Sequence, residues 1–236
     1  MGFDPLDRGR ASVLWCLFVP VLSVFVWTCG SVADAVELAG RELSDADIRR
    51  VEAGDILTRW EDPPGPGLNR KVASAGILPA SARDAWALAT DFRNYPLIYT
   101  GIASARLVVE QPREAVGTYV LSLPWPLPER WVTTRAWLDP DRRYCSWRKE
   151  GGTVRTYEGH LQVLPWGGRR SMLLYAARID PDLSFLPSWF WDWAQERALP
   201  SVVAGLRDTL EKPHGPYWRS GVQRPRFEFA GRRLDP

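Results

Sequence analysis

The chain has 236 residues, of which 45% are hydrophobic and 25% are charged, a balance typical of a folded globular protein and not of a disordered one. Its 30 basic and 28 acidic residues nearly cancel, which argues against nucleic acid as the main partner. The count of 13 Trp is high, and indole rings suit cores, pocket walls and membrane interfaces.

The first 35 residues have the features of an export signal. Residues 13–27 carry no charge, Arg8 and Arg10 precede them, and Ala33-Asp34-Ala35 places small residues just before Val36. A basic start, a short apolar stretch and an A-x-A site are typical of a secretory signal peptide. We therefore expect an exported protein, periplasmic or secreted, whose mature chain begins at Val36.

Three alternatives remain for this segment. It could be a buried helix, or an uncleaved anchor that holds the protein on the membrane facing outside the cytoplasm. The anchor is disfavoured because the run is shorter than the ~20 residues of a spanning helix and Pro20 interrupts it. Acylation of Cys29 would give a lipoprotein, although Trp27 and Thr28 fit the usual small-residue pattern poorly. Cleavage would leave only Cys145, so no internal disulfide is expected.

Residues 36–69 are expected to form a short helix and a linker. Ser44 is a suitable N-cap, and Asp45 and Asp47 follow it in the first turn, where the helix dipole favours negative charge. Residues 62–67 consist of Asp, Pro and Gly, which is turn chemistry. The main domain is therefore placed at residues 70–212.

The main domain begins with a strand over residues 71–77 and a helix that Ser81 caps and that runs to about residue 91. Turns rich in Gly, Pro and Asp then separate six strand candidates, at residues 103–110, 117–123, 131–138, 143–149, 153–163 and 170–179. Short strands joined by tight turns form an antiparallel meander, so the fold class is α+β.

Alternation along these strands suggests a sheet curved around a cavity. Tyr119 and Leu121 share one face of their strand, and Trp131, Arg135 and Trp137 share one face of another. Aromatic and polar side chains on one side of a sheet suit a ligand cavity as well as a packed core.

The last regular element is predicted over residues 188–210. Pro200 lies inside it, so the helix is kinked there or a second helix starts there. The Trp-rich run 183–193 has more large apolar side chains than one helix face can bury, and the Pro-rich run 123–128 is a second apolar segment. We expect the two runs to rim the cavity or to meet a membrane. Plain packing of the two runs against each other is the alternative. The expected rim residues are Trp125, Leu127, Phe185 and Trp191.

The sequence also predicts a basic C-terminal extension, residues 213–236, wrapped on the domain through Phe227 and Phe229. The complete set of expected ligand contacts is Tyr119, Leu121, Trp131, Arg135, Trp137, Tyr157, His160, Trp189, Trp193 and Val203.

The order of elements and two local motifs resemble the START-like (SRPBCC) superfamily. The run from Ile77 to Trp86, followed by Thr90-Asp91-Phe92 and Tyr95-Pro96, is similar to the opening of polyketide cyclase/dehydrase and coenzyme-Q-binding START-like proteins. The resemblance covers roughly residues 70–211. It implies a helix-grip fold, in which a curved antiparallel sheet grips a long C-terminal helix around an apolar cavity for lipids, sterols, quinones or polyketides.

Catalytic signatures are sparse. His160 and Glu158 share a strand face and could act as a base and its orienting carboxylate, but a structural histidine is the favoured interpretation. We name no catalytic residue, metal ligand or cofactor. Binding or transfer of a hydrophobic ligand by a monomer is the leading hypothesis. A cyclase- or hydrolase-type enzyme and an envelope interaction module remain the alternatives.

Overall fold

The computed structural model describes residues 36–61, 70–123, 127–180, 182, 200–224, 227–229 and 232–234. All of them belong to one folded unit, Ala35–Pro236. The chain enters this unit through a short hairpin of β1 (Glu37–Leu38) and β2 (Arg41–Glu42), followed by the helix α1 (Asp45–Glu52). Ser44 caps α1 as expected, because its hydroxyl accepts a hydrogen bond from the Asp47 amide at 3.2 Å.

One antiparallel sheet dominates the described residues. Its eight strands are β3 (Leu57–Glu61), β4 (Lys71–Leu78), β5 (Ile102–Gln111), β6 (Glu114–Leu121), β7 (Arg130–Asp139), β8 (Tyr144–Gly152), β9 (Thr156–Pro165) and β10 (Ser171–Asp180). They lie in the order β3-β4-β10-β9-β8-β7-β6-β5, which places the first two strands beside the last. The meander from β5 to β10 and the curved α+β architecture are confirmed.

Helices cover the inner face of this sheet. They are α2 (Ala82–Ala89), α3 (Tyr95–Ile98), which follows a 3-10 turn at Phe92–Asn94, and α4 (Pro200–Glu211). Pro200 is the first residue of α4, a position where its missing amide hydrogen costs no helical hydrogen bond. Residues 183–199, the first half of the predicted last helix, lie outside the described residues.

Two glycines let α4 approach its neighbours closely. A β-carbon at Gly76 on β4 would lie 2.5 Å from Cγ1 of Val203, and one at Gly205 on α4 would lie 2.8 Å from the Ile98 carbonyl oxygen. Both distances are shorter than a van der Waals contact. Val203 and Leu206 are fully buried where α4 docks.

A separate layer covers part of the outer face. Leu38, Leu43 and Val51, from β1, the loop before α1 and α1, pack into one buried cluster with Ile77 of β4 and Leu174 of β10. Arg59 of β3 links this layer to the sheet: its guanidinium donates to the Arg41 carbonyl at 3.1 Å and to the Asp47 carboxylate at 2.7 Å. Residues 36–61 therefore belong to the same folded unit, whereas the sequence placed the domain start at residue 70.

The first residues of the C-terminal segment also pack into the core. Tyr217, in a 3-10 turn at Pro216–Trp218, is 1% exposed and donates to the Asp91 carboxylate at 2.7 Å. Trp218 donates through Nε1 to the Thr209 carbonyl at 2.6 Å. The expected anchors, Phe227 and Phe229, lie in β11 (Phe227–Phe229), which pairs with β12 (Arg232–Leu234). The attachment described here is made by Tyr217 and Trp218.

Candidate functional site: an aromatic cavity

A cavity of about 200 Å³ lies between the inner face of the sheet, α3 and the start of α4. The short helix α3 contributes Tyr95 and Tyr99, and α4 contributes Ser201 and Val202. Aromatic side chains make up much of the wall: Phe92, Tyr95, Tyr99, Tyr119, Trp147, Tyr157 and Tyr175. The remaining lining is small or aliphatic, and includes Leu121, Thr134, Ala136, Leu161, Ala177 and Ile179.

Among the described residues, three of the expected ligand contacts line this cavity. Tyr119 and Leu121 point inward from β6, and Tyr157 points inward from β9. Val203 is buried against Gly76 at the sheet, while its neighbours Ser201 and Val202 reach the cavity. The face of β6 expected to meet the ligand is thus the inward one, whereas on β9 Tyr157 faces inward and the other expected contact, His160, does not.

The three expected contacts on β7 lie on the opposite face, so their predicted placement in the cavity is wrong. Trp131 and Trp137 are 45% and 38% exposed on the outer face. Arg135 lies between them and forms ion pairs with Glu114 and Glu150. Thr134 and Ala136, the small residues of the same strand, face the cavity instead. Since side chains alternate along a strand, a wrong choice of face moves the whole set.

His160 is likewise on the outer face of β9, outside the cavity. Its ring stacks on Tyr144 with centroids 5.8 Å apart. Burial, aided by the charge of Lys71, lowers the pKa of His160. Glu158, its proposed partner, instead accepts a hydrogen bond from Arg178 at 2.6 Å. The arrangement favours a structural histidine over a catalytic base.

The expected rim is mostly beyond what the structure describes. Leu127 is half-buried in the turn before β7. Trp125, Phe185, Trp189, Trp191 and Trp193 lie outside the described residues.

Most of the described lining was missed by sequence reasoning, including the aromatic residues Phe92, Tyr95, Tyr99, Trp147 and Tyr175. Trp147 and Tyr175 occupy inward positions of β8 and β10, and strand alternation could have found them. Tyr95 is the first residue of α3, a helix of four residues that has no periodic pattern of its own, and Tyr99 follows its last residue. Tyr95 packs edge-on against Phe92 and Tyr99, with centroids 5.3 and 4.8 Å away.

The described lining residues include no Asp, Glu, Lys, Arg or His side chain. Burial raises the pKa of Tyr95, Tyr99, Tyr119, Tyr157 and Tyr175, so these phenols stay protonated at ordinary pH. Cys145 is buried nearby on β8, and burial raises the pKa of its thiol to about 12. A thiol with such a pKa is a poor nucleophile at neutral pH.

Hydrogen bonding divides the polar atoms of the wall into two groups. The Tyr95 hydroxyl donates to the Ala89 carbonyl at 2.7 Å, so it serves the fold. Trp147 differs, because its Nε1 is buried and has no hydrogen-bond partner among the described residues. An indole donor left without an acceptor costs about 1–3 kcal/mol.

The described part of the chain contains no group of His, Cys, Asp and Glu side chains arranged to hold a metal ion. Nor does any helix within it combine the length and apolarity needed to span a membrane.

Comparison with known proteins gives one family. The profile described as polyketide cyclase / dehydrase and lipid transport matches residues 78–207, more than half of the chain. No curated protein matches the sequence.

Solved structures share the fold at low identity. A STAR-related lipid transfer protein from Xanthomonas axonopodis has a TM-score of 0.57 and 17% identity, with coverage of 75% of this chain and 99% of that one. The human StarD13 lipid transfer and protein localization domain has a TM-score of 0.55, 17% identity and coverage of 65% and 83%. The Zhui aromatase/cyclase from a Streptomyces species has a TM-score of 0.53, 17% identity and coverage of 61% and 94%.

Proposed function

Since the chain belongs to the polyketide cyclase/dehydrase and lipid transport family, we propose that it binds or carries a hydrophobic small molecule in the cavity between the sheet and α4. The observation that carries this proposal is the wall itself, which is aromatic and aliphatic and has no charged side chain among its described residues. Such a wall favours apolar surface over water. The names of two structural neighbours mention lipid transfer, which is compatible with this role.

Binding is favoured over catalysis by the position of the titratable groups. His160 is on the outer face, and the Cys145 thiol is held protonated by burial. The tyrosine hydroxyls of the wall stay protonated because burial raises their pKa values, so at neutral pH they do not supply a general base. A cyclase-type activity is therefore the second candidate, and it would have to rely on orientation of the substrate.

Extraction of the purified protein tests the binding role. Protein isolated from its native host, without detergent, is extracted with organic solvent, and the extract is analysed by mass spectrometry. We expect a hydrophobic compound in near-stoichiometric amount. Its absence, together with failure of the protein to take up any apolar probe, would overturn the proposal.

Export is part of the same proposal. Val36, the first described residue, accepts a hydrogen bond through its carbonyl from the Leu43 amide at 2.8 Å. Cleavage before Val36 would thus leave this contact intact. N-terminal sequencing of the native protein is expected to begin at Val36, and retention of Met1 would favour the membrane-anchored alternative.

Contact of the rim with a membrane completes the proposal. In the helix that the sequence predicts from residue 188, residues two apart lie about 200° apart around the axis, which predicts that Trp191 faces away from Trp189 and Trp193. We expect Trp191→Ala to lower association with phospholipid vesicles several-fold and to change the melting temperature little. Unchanged association combined with a large drop in melting temperature would mean that the aromatic run is core, and would favour neither a membrane nor a protein partner.

A further inference from the structure

We propose that a strap, residues 213–224 after α4, holds the cavity closed by fixing the 3-10 turn at Phe92–Asn94. This inference rests on the proposed binding function and adds to it a control of entry and release. The family profile ends at residue 207, so the strap lies beyond the part of the chain that the profile matches. The contacts of the strap, the position of Phe92 and the space beside α3 support the inference.

The 3-10 turn and α3 form one continuous part of the cavity wall. Phe92 lies in the turn, Tyr95 begins α3 and Tyr99 follows it, and all three residues line the cavity. Helical segments of three or four residues are not stable by themselves, because most helical stability comes from tertiary packing. The position of this part of the wall therefore depends on the contacts that hold it.

Two side chains fasten the strap to the turn. The Tyr217 hydroxyl donates to the carboxylate of Asp91, the residue directly before Phe92, at 2.7 Å. The Asn94 side chain donates through Nδ2 to the same carboxylate and to the Gln223 carbonyl, at 2.8 Å each. The strap is thus bound at both ends of the turn.

The other contacts of the strap join it to α4 and to itself. Trp218 donates through Nε1 to the Thr209 carbonyl of α4 at 2.6 Å. Arg224 donates to the Tyr217 carbonyl at 2.8 Å and to the Arg219 carbonyl at 3.0 Å. The strap therefore connects α4 to the 3-10 turn, and both of these elements belong to the helical side of the cavity.

Phe92 separates the cavity from the surface. It lines both the cavity and a groove of about 400 Å³ between α2 and the turns that precede β6 and β8. Trp86, Pro112, Leu138 and Pro140 form much of that groove. A movement of the turn that withdraws Phe92 joins the two spaces and gives an apolar ligand a path into the cavity.

There is space beside α3 for such a movement. Tyr217 and Trp218 face α3 across a second groove, of about 350 Å³, which Leu97 and Ile98 line from the side of the helix. This space lets α3 follow a shift of the turn without a clash against the strap. Release of the strap is therefore the step that we expect to open the cavity.

Exchange kinetics of an uncharged dye test this role. N-Phenyl-1-naphthylamine fluoresces more strongly in apolar surroundings, and stopped-flow mixing measures its rates of binding and release. In Tyr217→Phe and in Arg224→Met we expect both rates to rise about threefold to tenfold, the factor that one lost hydrogen bond supplies, and the dissociation constant to change less than about twofold. The two rates rise together because the opened path serves both entry and release.

Labelling of Cys145 gives a second readout that needs no ligand. Cys145 is 0% exposed, and it belongs to the same buried cluster as Phe92. Methyl methanethiosulfonate is added to the full chain without denaturant, and peptide mass spectrometry locates the modified cysteine. We expect both strap variants to be labelled at Cys145 about threefold to tenfold faster than the wild type.

Leu43→Ala is the matched control for loss of stability. Leu43 is buried in the outer layer, away from the strap, and removal of its side chain costs at least as much stability as removal of one hydrogen bond. We expect this variant to keep the dye kinetics and the labelling rate of the wild type. Arg224 is only half-buried, so Arg224→Met carries the test if Tyr217→Phe does not fold.

The outcomes separate the strap from the binding function. Rates that stay at the wild-type values in both strap variants, or that rise equally in Leu43→Ala, would overturn the strap and leave binding standing. A faster release with unchanged entry would also overturn it, because the contacts would then stabilise the complex and not control access. Failure of the dye to bind the wild type would count against the binding function, and Cys145 labelling then decides whether the strap closes the cavity.

Discussion

His160 illustrates how placement decides the role of a residue. On β9 it faces away from the cavity and stacks on Tyr144, and its proposed partner Glu158 is bound to Arg178. Tyr157, three positions earlier, faces inward and lines the cavity. His160 is thus close to the cavity residue Tyr157 in sequence, but it lies on the other side of the sheet from the cavity.

Burial of His160 gives a prediction about pH. The pKa of His160 is lowered in the folded state, mainly by burial and further by the charge of Lys71. As pH falls through about 6.5, the unfolded chain therefore binds a proton at this histidine while the folded chain remains unprotonated there. The free energy of unfolding therefore decreases as pH falls below about 6.5. We expect urea melts from pH 7.5 to 5.5 to show a smaller decrease for His160→Gln than for the wild type. Parallel pH profiles for the two proteins would contradict this.

At the scale of elements, the docking of α4 depends on the missing side chain of Gly76. A β-carbon there would lie 2.5 Å from Val203, so Gly76→Ala is expected to destabilise the fold by about 1–3 kcal/mol, as overpacking does. Gly151→Ala is the control, because the nearest atom would be 3.9 Å away. In the double variant, Val203→Ala should restore part of the stability lost in Gly76→Ala, because it removes the side-chain atoms that the new β-carbon would meet. Chemical denaturation measures all three, and a neutral Gly76→Ala would show that the helix can shift freely.

The C-terminal segment is a second element with a definable contribution. Tyr217 is 1% exposed, and its hydroxyl donates to Asp91, which also accepts from Asn94 at 2.8 Å. Burial raises the pKa of Asp91 despite these bonds. Tyr217→Phe keeps the ring and removes one hydrogen bond, which should cost about 1–3 kcal/mol of unfolding free energy.

Tyr144→Phe serves as the control for Tyr217→Phe, since Tyr144 is half-buried on the outer face and is expected to change stability by no more than about 0.5 kcal/mol. Equal melting of the two variants would mean that the Tyr217–Asp91 hydrogen bond contributes nothing to holding the segment.

At the scale of the whole molecule, the layer formed by residues 36–61 completes the fold. Without it, Ile77, Met172 and Leu174 would expose an apolar surface on the outer face, and β4 would lose its pairing with β3. Each large side chain returned to water costs about 1.5–3 kcal/mol, and net stability is only about 5–15 kcal/mol. We expect a chain of residues 70–236 to aggregate or melt without cooperativity, and residues 36–236 to fold. Circular dichroism and gel filtration distinguish these results, and equal melts would make the layer dispensable.

Local patterns in the sequence determined much of this architecture. Turn residues and alternation located the strands from β4 to β10, and Ser44 and Ser81 marked the starts of α1 and α2. Each of these signals acts through backbone angles or caps within a few residues, so each is readable in sequence. The order of elements then indicated a sheet closed by a C-terminal helix.

Only the tertiary structure decided which face of each strand became the wall of the cavity. On β7 the sequence favoured the face of Trp131 and Trp137, whereas the folded chain has Thr134 and Ala136 inside and those two Trp residues outside. The hydrogen bond from Tyr217 to Asp91 joins residues 126 positions apart, and no local sequence pattern predicts it. The period of a strand separates its side chains into two faces, but it does not say which face is buried, because burial depends on contacts between segments distant in the chain.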